Sequence, residues 1–370
     1  MRLLLSCNRM LFLKSISVTQ FKNYGYQQFH FHQPVVAITG PNGIGKTNLL
    51  DAIYYLSFTK SYFPGSDTNH VQQGLDGFRI SGELSFKDAN TSITVILRES
   101  GKKEVTRDGI AYERFSEHIG KFPSVMIAPD DVELITGGSE IRRKFTDTLL
   151  SQLEPEYLRQ LIAYNKVLQQ RNSYLKQAAN GNRNDSLLET LDEQLIFAGQ
   201  TIYEFRKSFF PDFHQNVLDF YKIIAGIPEH ISLMYESQLN SQPLQELLTK
   251  SREKDYLLQR TTCGIHKDDL LLELNGRPFK TTASQGQRKS MLFSLKLSEL
   301  EQLHQKKGFS PFLLLDDVFE KLDEQRMHNL LKWVCDRKGS QVFITDPNKE
   351  RIQHMLAGIQ QNLQLIELSN

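Results

Sequence analysis

The amino-acid sequence predicts an α/β fold with a mixed sheet, built from both ends of the chain, and a helical domain inserted between those ends. Three observations lead there. Gly40-Pro41-Asn42-Gly43-Ile44-Gly45-Lys46-Thr47 fits GxxxxGK[ST] and lies between a strand-like and a helix-like run. A second apolar run, Phe312 to Leu315, ends in Asp316-Asp317. Between the two, from about Ser139, the apolar period turns helical and stays so for roughly a hundred residues.

Leu11 to Phe21 and Gln28 to Phe31 read as strands leading to Pro34–Thr39, a short apolar, β-branched run suited to a buried strand. Lys46 to Phe58 then sets Leu49, Leu50, Ile53, Tyr54 and Leu56 at helical spacing. Phe78 to Phe86 alternates, and Ile93 to Arg98 follows a turn at Lys87-Asp88-Ala89-Asn90. Asp108-Gly109 inside Val105–Ile110 is a hairpin signal, so an antiparallel sheet is expected beside the glycine loop. Ser124 to Ala128 is a further strand ending at Pro129-Asp130-Asp131.

Glu154-Pro155 opens a long helix to about Ala179, a turn follows at Asn180–Asn184, and Asp185 starts a second helix interrupted at Pro211. Antiparallel helices of ~25 residues would make an arm of ~35–40 Å. Strand character returns at Tyr256–Cys263 and Leu270–Leu274, with Asn275-Gly276 as a turn. Helix Ser284–Gln305, strand Phe312–Leu315, helix Asp323–Val334 and strand Gln341–Thr345 complete the α/β pattern. The expected domains are a discontinuous head, 10–130 and 256–370, and a helical arm, 131–255. Residues 1–9 read as a dispensable extension, with Met1 or Met10 as the start.

The chain has 370 residues and a formal charge of +1, which excludes a global electrostatic pull toward nucleic acid or membrane. Any anion-binding surface must be a local patch. Cys7, Cys263 and Cys335 show no metal-binding spacing and suit a reducing cytosol. No apolar run is long enough to span a membrane.

The glycine loop has a direct chemical use. Its glycines let successive N–H groups converge on a β-phosphate, and the helix that follows adds its positive end. Lys46 is expected to reach the β- and γ-phosphates of ATP, and the Thr47 hydroxyl to coordinate Mg²⁺. Asp316, closing the second apolar strand, is the expected Walker B ligand of Mg²⁺, and Asp317 the base that polarises the attacking water. The shorter aspartate, where glutamate is common, points to slow turnover.

Ala283-Ser284-Gln285-Gly286-Gln287 precedes a long amphipathic helix. Ser284 suits an N-cap, and the same residues form an SxGQ signature of the ABC type. In that type the serine and helix N-terminus (Ser284, Gly286 and Gln287 here) meet the γ-phosphate held by another subunit. Two copies would then close around two ATP molecules, an ATP-dependent homodimer. Leu322-Asp323 resembles the D-loop of such proteins.

With those residues in hand, the chain resembles the RecF family of bacterial recombination mediators, in the SMC/ABC ATPase group. The carriers are Phe21-Lys22-Asn23-Tyr24 and the glycine loop continued through Asn48-Leu49-Leu50-Asp51-Ala52-Ile53-Tyr54. Pro129-Asp130-Asp131, Arg142-Arg143-Lys144-Phe145 and Gln169-Gln170-Arg171-Asn172 follow, then Gly264 to Leu270 and Leu314 to Phe319. The resemblance implies an ABC/SMC-type P-loop ATPase head, with Gly40 to Asn48 as the nucleotide loop. It also implies binding to double-stranded and gapped DNA, including single–double strand junctions. RecR and RecO would be partners and RecA the protein loaded, in a cytoplasmic, nucleoid-associated setting.

Two departures stand out: Gln285 inside the signature, and Ile344-Thr345-Asp346-Pro347 where transport ATPases place a switch histidine. The γ-phosphate sensor stays open between Thr345 and Asp346. Direct support for DNA is a local excess of +4 over Gly137–Arg183, with Arg142, Arg143, Lys144 and Arg171 as candidate phosphate contacts. His266 with Asp268 and Asp269 reads as a structural turn in preference to a metal site. The alternative function is an ABC transporter-type ATPase subunit, which shares the nucleotide motifs.

Overall fold

A computed structural model of the chain describes residues 10–87, 89–178, 183–226, 229–318, 324–337, 339–356 and 363–369. The N-terminal extension, Asp88, the turn residues 180–182, Phe319 and the Leu322-Asp323 pair lie outside them. The chain divides into two compact units: Met1–Val132 with Phe220–Ile227 and Gln285–Asn370, and Glu133–Asp219 with Pro228–Ser284.

The first unit begins with β1 (Phe12–Phe21), β2 (Tyr24–His30), β3 (Val35–Thr39) and helix α1 (Lys46–Phe58). It continues with β4 (Phe78–Phe86), β5 (Ala89–Leu97), β6 (Lys103–Arg107), β7 (Ile110–Ala111) and β8 (Ser124–Ile127). Strands β1, β2 and β4 to β7 form an antiparallel sheet in the order β2-β1-β4-β5-β6-β7. Parallel and antiparallel pairings are both present, but in separate sheets. β3 and β8 join strands from the far end of the chain in a parallel sheet, described below.

Helix α1 packs against both sheets, and this explains its composition. Every residue from Leu49 to Phe58 is buried, Asp51 included, because a helix covered on both sides has no solvent face to fill with polar residues. The Asp51 carboxylate is satisfied by the Lys22 ammonium at 2.7 Å, the Ser61 hydroxyl and the Tyr62 N–H. A second buried polar side chain joins the two sheets. The β1–β4 register shifts between Leu13 and Ser15. Gln341 accepts from the Leu13 N–H at 2.7 Å and donates to its carbonyl at 3.0 Å, supplying the backbone partners a bulge loses.

The second unit contains α2 (Glu133–Thr136), α3 (Ser139–Leu153), α4 (Pro155–Ala178), most of α5 (Asp185–Ala225), β9 (Ile231–Glu236) and α6 (Leu244–Leu258). β10 (Asp269–Leu274), β11 (Arg277–Pro278) and α7 (Phe279–Thr282) follow. The boundary expected at 255/256 falls at 284/285, because β10 pairs with β9 and β11 in a three-stranded sheet of this unit. Tyr256–Cys263 is not a strand: α6 runs to Leu258 and stops at Gln259, whose φ of 53° is left-handed. Pro211 does not interrupt α5 either. An interior proline costs about 3 kcal/mol, and buried Phe210 and Phe213 on either side offset it. Phe210 stacks on Tyr235 at 4.8 Å.

The first unit resumes with α8 (Gln285–Lys307), β12 (Phe312–Leu315), α9 (Glu324–Asp336), β13 (Val342–Asp346), α10 (Lys349–Leu356) and β14 (Leu363–Glu367). The parallel sheet runs β14-β3-β13-β12-β8. Both chain ends therefore contribute to one sheet, with β3 between two strands from the C-terminal part.

Candidate nucleotide site

The glycine loop leaves the C-terminal end of β3, the edge of a parallel sheet where ligands are usually held. Gly43 and Gly45 have φ of 81° and 120°, so the backbone turns sharply into α1. At Gly45 a side chain is excluded twice over: a Cβ would lie 2.7 Å from Asn23 Nδ2 and 2.9 Å from the Tyr24 hydroxyl. Those two residues, Asn23 in the turn after β1 and Tyr24 at the start of β2, hold the loop from outside. Asn23 donates to the Ile44 carbonyl at 2.8 Å and Tyr24 to the Gly45 carbonyl at 3.0 Å, while Asn48 donates to Asn23 at 2.7 Å. Sequence reasoning marked Asn23 and Tyr24 as family carriers and missed this support role. The available signal was polar residues at the tip between two strands.

Lys46 is buried and folds back over the loop, donating to the carbonyls of Gly40 at 2.9 Å and Pro41 at 3.1 Å, with Asn42 Oδ1 at 3.5 Å. Thr47 Oγ1 donates to Asp316 Oδ1 at 2.9 Å. The first residue beyond the loop lysine and the end of β12 thus meet. A hydroxyl and a carboxylate in contact are a hard-oxygen pair of the kind Mg²⁺ takes alongside phosphate oxygens and water, so the residues fit that ion. Burial raises the Asp316 carboxyl to about 6 against the downward pull of the Thr345 and Thr47 hydrogen bonds, and neighbouring Asp317 adds to the rise. A cation at this oxygen would relieve that cost.

Asp317 follows with a φ of 43°, and its N–H donates to Thr345 Oγ1 at 2.9 Å. Thr345 in turn donates to Asp316 Oδ1 at 2.8 Å. Asp346 is buried and spent: its oxygens accept from the Asn348 N–H and from the Arg351 guanidinium at 2.9 and 2.6 Å. Of the two residues left open as a phosphate sensor, Asp346 is a local clasp for α10, and Thr345 serves Walker B from within.

The Ser284-Gln285-Gly286-Gln287 stretch includes the 284/285 division of the chain. Ser284 is exposed and closes the second unit, and Gln285 opens α8 in the first. Gly286 lies against the Arg326 guanidinium of α9, which would have to move aside for a Cβ there. Further along α8, Lys296 is buried beside Asp131 at 3.7 Å and Glu299 at 3.9 Å, and donates to the Tyr62 hydroxyl at 3.2 Å. Burial alone would lower this lysine; the two carboxylates outweigh it and raise it. Tyr62 also donates to Asp131, which places the Pro129-Asp130-Asp131 motif in the head's buried framework.

Among the four basic candidates for DNA, two need correction. Arg171 has no exposed side-chain surface and is held by Asp192 at 2.6 Å and Asp255 at 2.7 Å, with Thr261 at 2.9 Å. It cannot meet a phosphate on the surface, because a charge buried this fully is retained only by such partners. Arg142 is committed in bidentate fashion to Asp269 at 2.7 and 2.9 Å. Arg143 donates to the Asp268 carbonyl at 2.7 Å and stays partly exposed, and Lys144 is exposed. The neighbouring His266, Asp268 and Asp269 form no joint site. His266 bonds Tyr164 and Thr261, and Asp268 takes Arg206 and Tyr235. No cluster suited to a metal occurs among the described residues.

A P-loop and a Walker B pair in contact on a parallel sheet, backed by an antiparallel sheet, define an ATPase head of the ABC/SMC type. The family model described as RecF/RecN/SMC N terminal domain matches residues 12–367. DNA replication and repair protein RecF of Flavobacterium johnsoniae is 41% identical over 357 residues, covering 96% of this chain and 99% of that protein. That of Parabacteroides distasonis is 38% identical, covering 97% of each. The chain belongs to the RecF family. The solved structure of the recombination mediator protein RecF with ATP superposes with a TM-score of 0.87 at 30% identity, over 98% of this chain and 97% of that one. An Smc head from Pyrococcus furiosus, at TM-score 0.55 and 14% identity, shares the fold. No described helix is long and apolar enough to cross a membrane.

Proposed function

We propose that this protein is an ATP-dependent, DNA-binding recombination mediator in which ATP acts as a switch for dimerisation. In this reading Gly40 to Asn48 cradle the triphosphate, Lys46 neutralises its outer phosphates, and Thr47 with Asp316 holds Mg²⁺. The ion would supply charge neutralisation and alignment of the phosphates. Asp317 orients and deprotonates the attacking water, and the shorter side chain makes turnover slow. The contact that carries the reading is Thr47 Oγ1 to Asp316 Oδ1 at 2.9 Å, which brings both halves of the nucleotide machinery together. The bound ATP in the solved RecF relative supports it.

Ser284, Gly286 and Gln287 complete the site of a second copy, so two protomers close on two ATP molecules and part after hydrolysis. Closure takes place on duplex or gapped DNA, with Arg143 and Lys144 as phosphate contacts. RecR and RecO join there and RecA is loaded, in the cytoplasm at the nucleoid. Light scattering with ATP, ADP or neither, with and without gapped DNA, tests this. A dimer is expected only with ATP, and Ser284→Arg should stay monomeric while binding ATP. A dimer of Ser284→Arg in ATP would remove the signature from the interface, and a wild-type monomer under every condition would sink the switch.

A further inference from the structure

We propose that Thr345 is a positioning residue of the ATPase site, a buried hydroxyl that sets Asp316 and Asp317 relative to each other. The inference rests on the ATPase reading above. The backbone explains the need. The parallel ladder between β12 and β13 ends at Leu315 opposite Ile344. Asp316 turns its N–H to the Ile127 carbonyl of β8 at 2.8 Å. Asp317 then enters left-handed space at φ 43°, which costs a residue with a Cβ about 1–2 kcal/mol, and its N–H has left the ladder. Thr345 Oγ1 accepts that N–H at 2.9 Å.

A hydroxyl has one proton to give. Asp316 Oδ1 lies at 2.8 Å from Thr345 Oγ1 and Asp317 Oδ1 at 3.4 Å, so the proton goes to Asp316. The same Asp316 oxygen accepts from Thr47 at 2.9 Å. One oxygen is thereby located by two hydroxyls, one on the P-loop helix and one on β13. Thr345 has no exposed surface, so it works through its neighbours and touches no substrate.

The test compares Thr345→Val, which keeps shape and removes both hydrogen bonds, with Thr345→Ser, which keeps the hydroxyl. ATP hydrolysis is measured against ATP and against Mg²⁺, with fluorescent-nucleotide binding and melting temperature alongside. Thr345→Val should bind ATP within about threefold of wild type, lose about ten- to a hundredfold in kcat and need several-fold more Mg²⁺. Thr345→Ser should recover most of the loss. Should the valine variant not fold, Thr345→Ala takes its place with the same expectations. Unchanged kcat and Mg²⁺ demand in the folded valine or alanine variant overturns the proposal, as does a serine variant no better than valine. A wild-type protein without hydrolysis would sink the ATPase reading instead. The positioning role is then read from the Mg²⁺ concentration needed for nucleotide binding, which must rise in Thr345→Val and return in Thr345→Ser.

Discussion

The Lys46 ammonium donates to the Gly40 carbonyl at 2.9 Å, reaching back across the loop that these two residues bound. Neutral carbonyls hold it, and a triphosphate offers charged oxygens in their place, which make stronger hydrogen bonds. Arginine keeps the charge but spreads it over a rigid fork. Lys46→Arg should therefore bind ATP within about tenfold of wild type and lose at least about a hundredfold in hydrolysis. Equilibrium binding set against single-turnover hydrolysis checks this, and equal losses in both would contradict it.

Arg171 and Lys144 should separate cleanly. Arg171→Met strands the Asp192 and Asp255 carboxylates, and breaking a buried pair costs about 3–5 kcal/mol. Lys144→Gln should leave stability within about 0.5 kcal/mol. On the proposed DNA role it should weaken duplex binding and reduce the salt slope by about one. Urea unfolding and salt-dependent duplex titrations read the two effects. A folded, stable Arg171→Met with a DNA defect would reverse the assignment.

Two loop glycines should respond differently to alanine. Gly43 has open space where a Cβ would go, so Gly43→Ala carries only the strain of φ 81°, about 1–2 kcal/mol. Gly45→Ala adds collisions with Asn23 and Tyr24. Melting temperatures without nucleotide should fall further for Gly45→Ala, and the opposite order would refute the outer support of the loop.

Two buried histidines should each subtract stability on acidification, against the opposite contribution of the buried Glu299 and Asp316 carboxyls, raised to about 7 and about 6. His118 and His266 are each lowered to about 4 by burial. His118 Nε2 donates to the Leu56 carbonyl and its Nδ1 is buried without a partner. His266 Nε2 must donate to the Thr261 carbonyl, leaving Nδ1 to accept from Tyr164. An unfolded histidine protonates near 6.5, ahead of the folded one. Each histidine's contribution is thus whole above that pH, falls by at most about 1.4 kcal/mol per pH unit down to about pH 4, and levels below. Urea midpoints between pH 7.5 and 4 measure it. His118→Gln and His266→Gln should each remove their share of the slope, and an unchanged slope would count against burial as its cause.

The nucleotide loop was legible because it is local. Strand, glycines and helix are contiguous, and α1 begins and ends at the expected Lys46 and Phe58. The Walker B strand was legible for the same reason. The misreadings lie where distant packing overrode local preference. Tyr256–Cys263 carries β-branched threonines, yet its first residues finish α6. Pro211 signals a break that the phenylalanine packing of α5 overrides. Arg171 has the charge expected of a phosphate contact, and only the meeting of α4, α5 and α6 showed it to be enclosed. Asn23, Tyr24 and Thr345 lie far from the loop or from Walker B in sequence, so no spacing could connect them.

The position of β3 bears on how the protein is made. Its two neighbours, β13 and β14, lie far along the sequence from it, and the Leu368 N–H donates to the Thr39 carbonyl at the threshold of the loop. A growing chain shows its phosphate motif early, yet the strand beneath it lacks both flanks until β13 and β14 have emerged. The sheet that carries the loop is therefore complete only once strands from both distant parts of the sequence have come together.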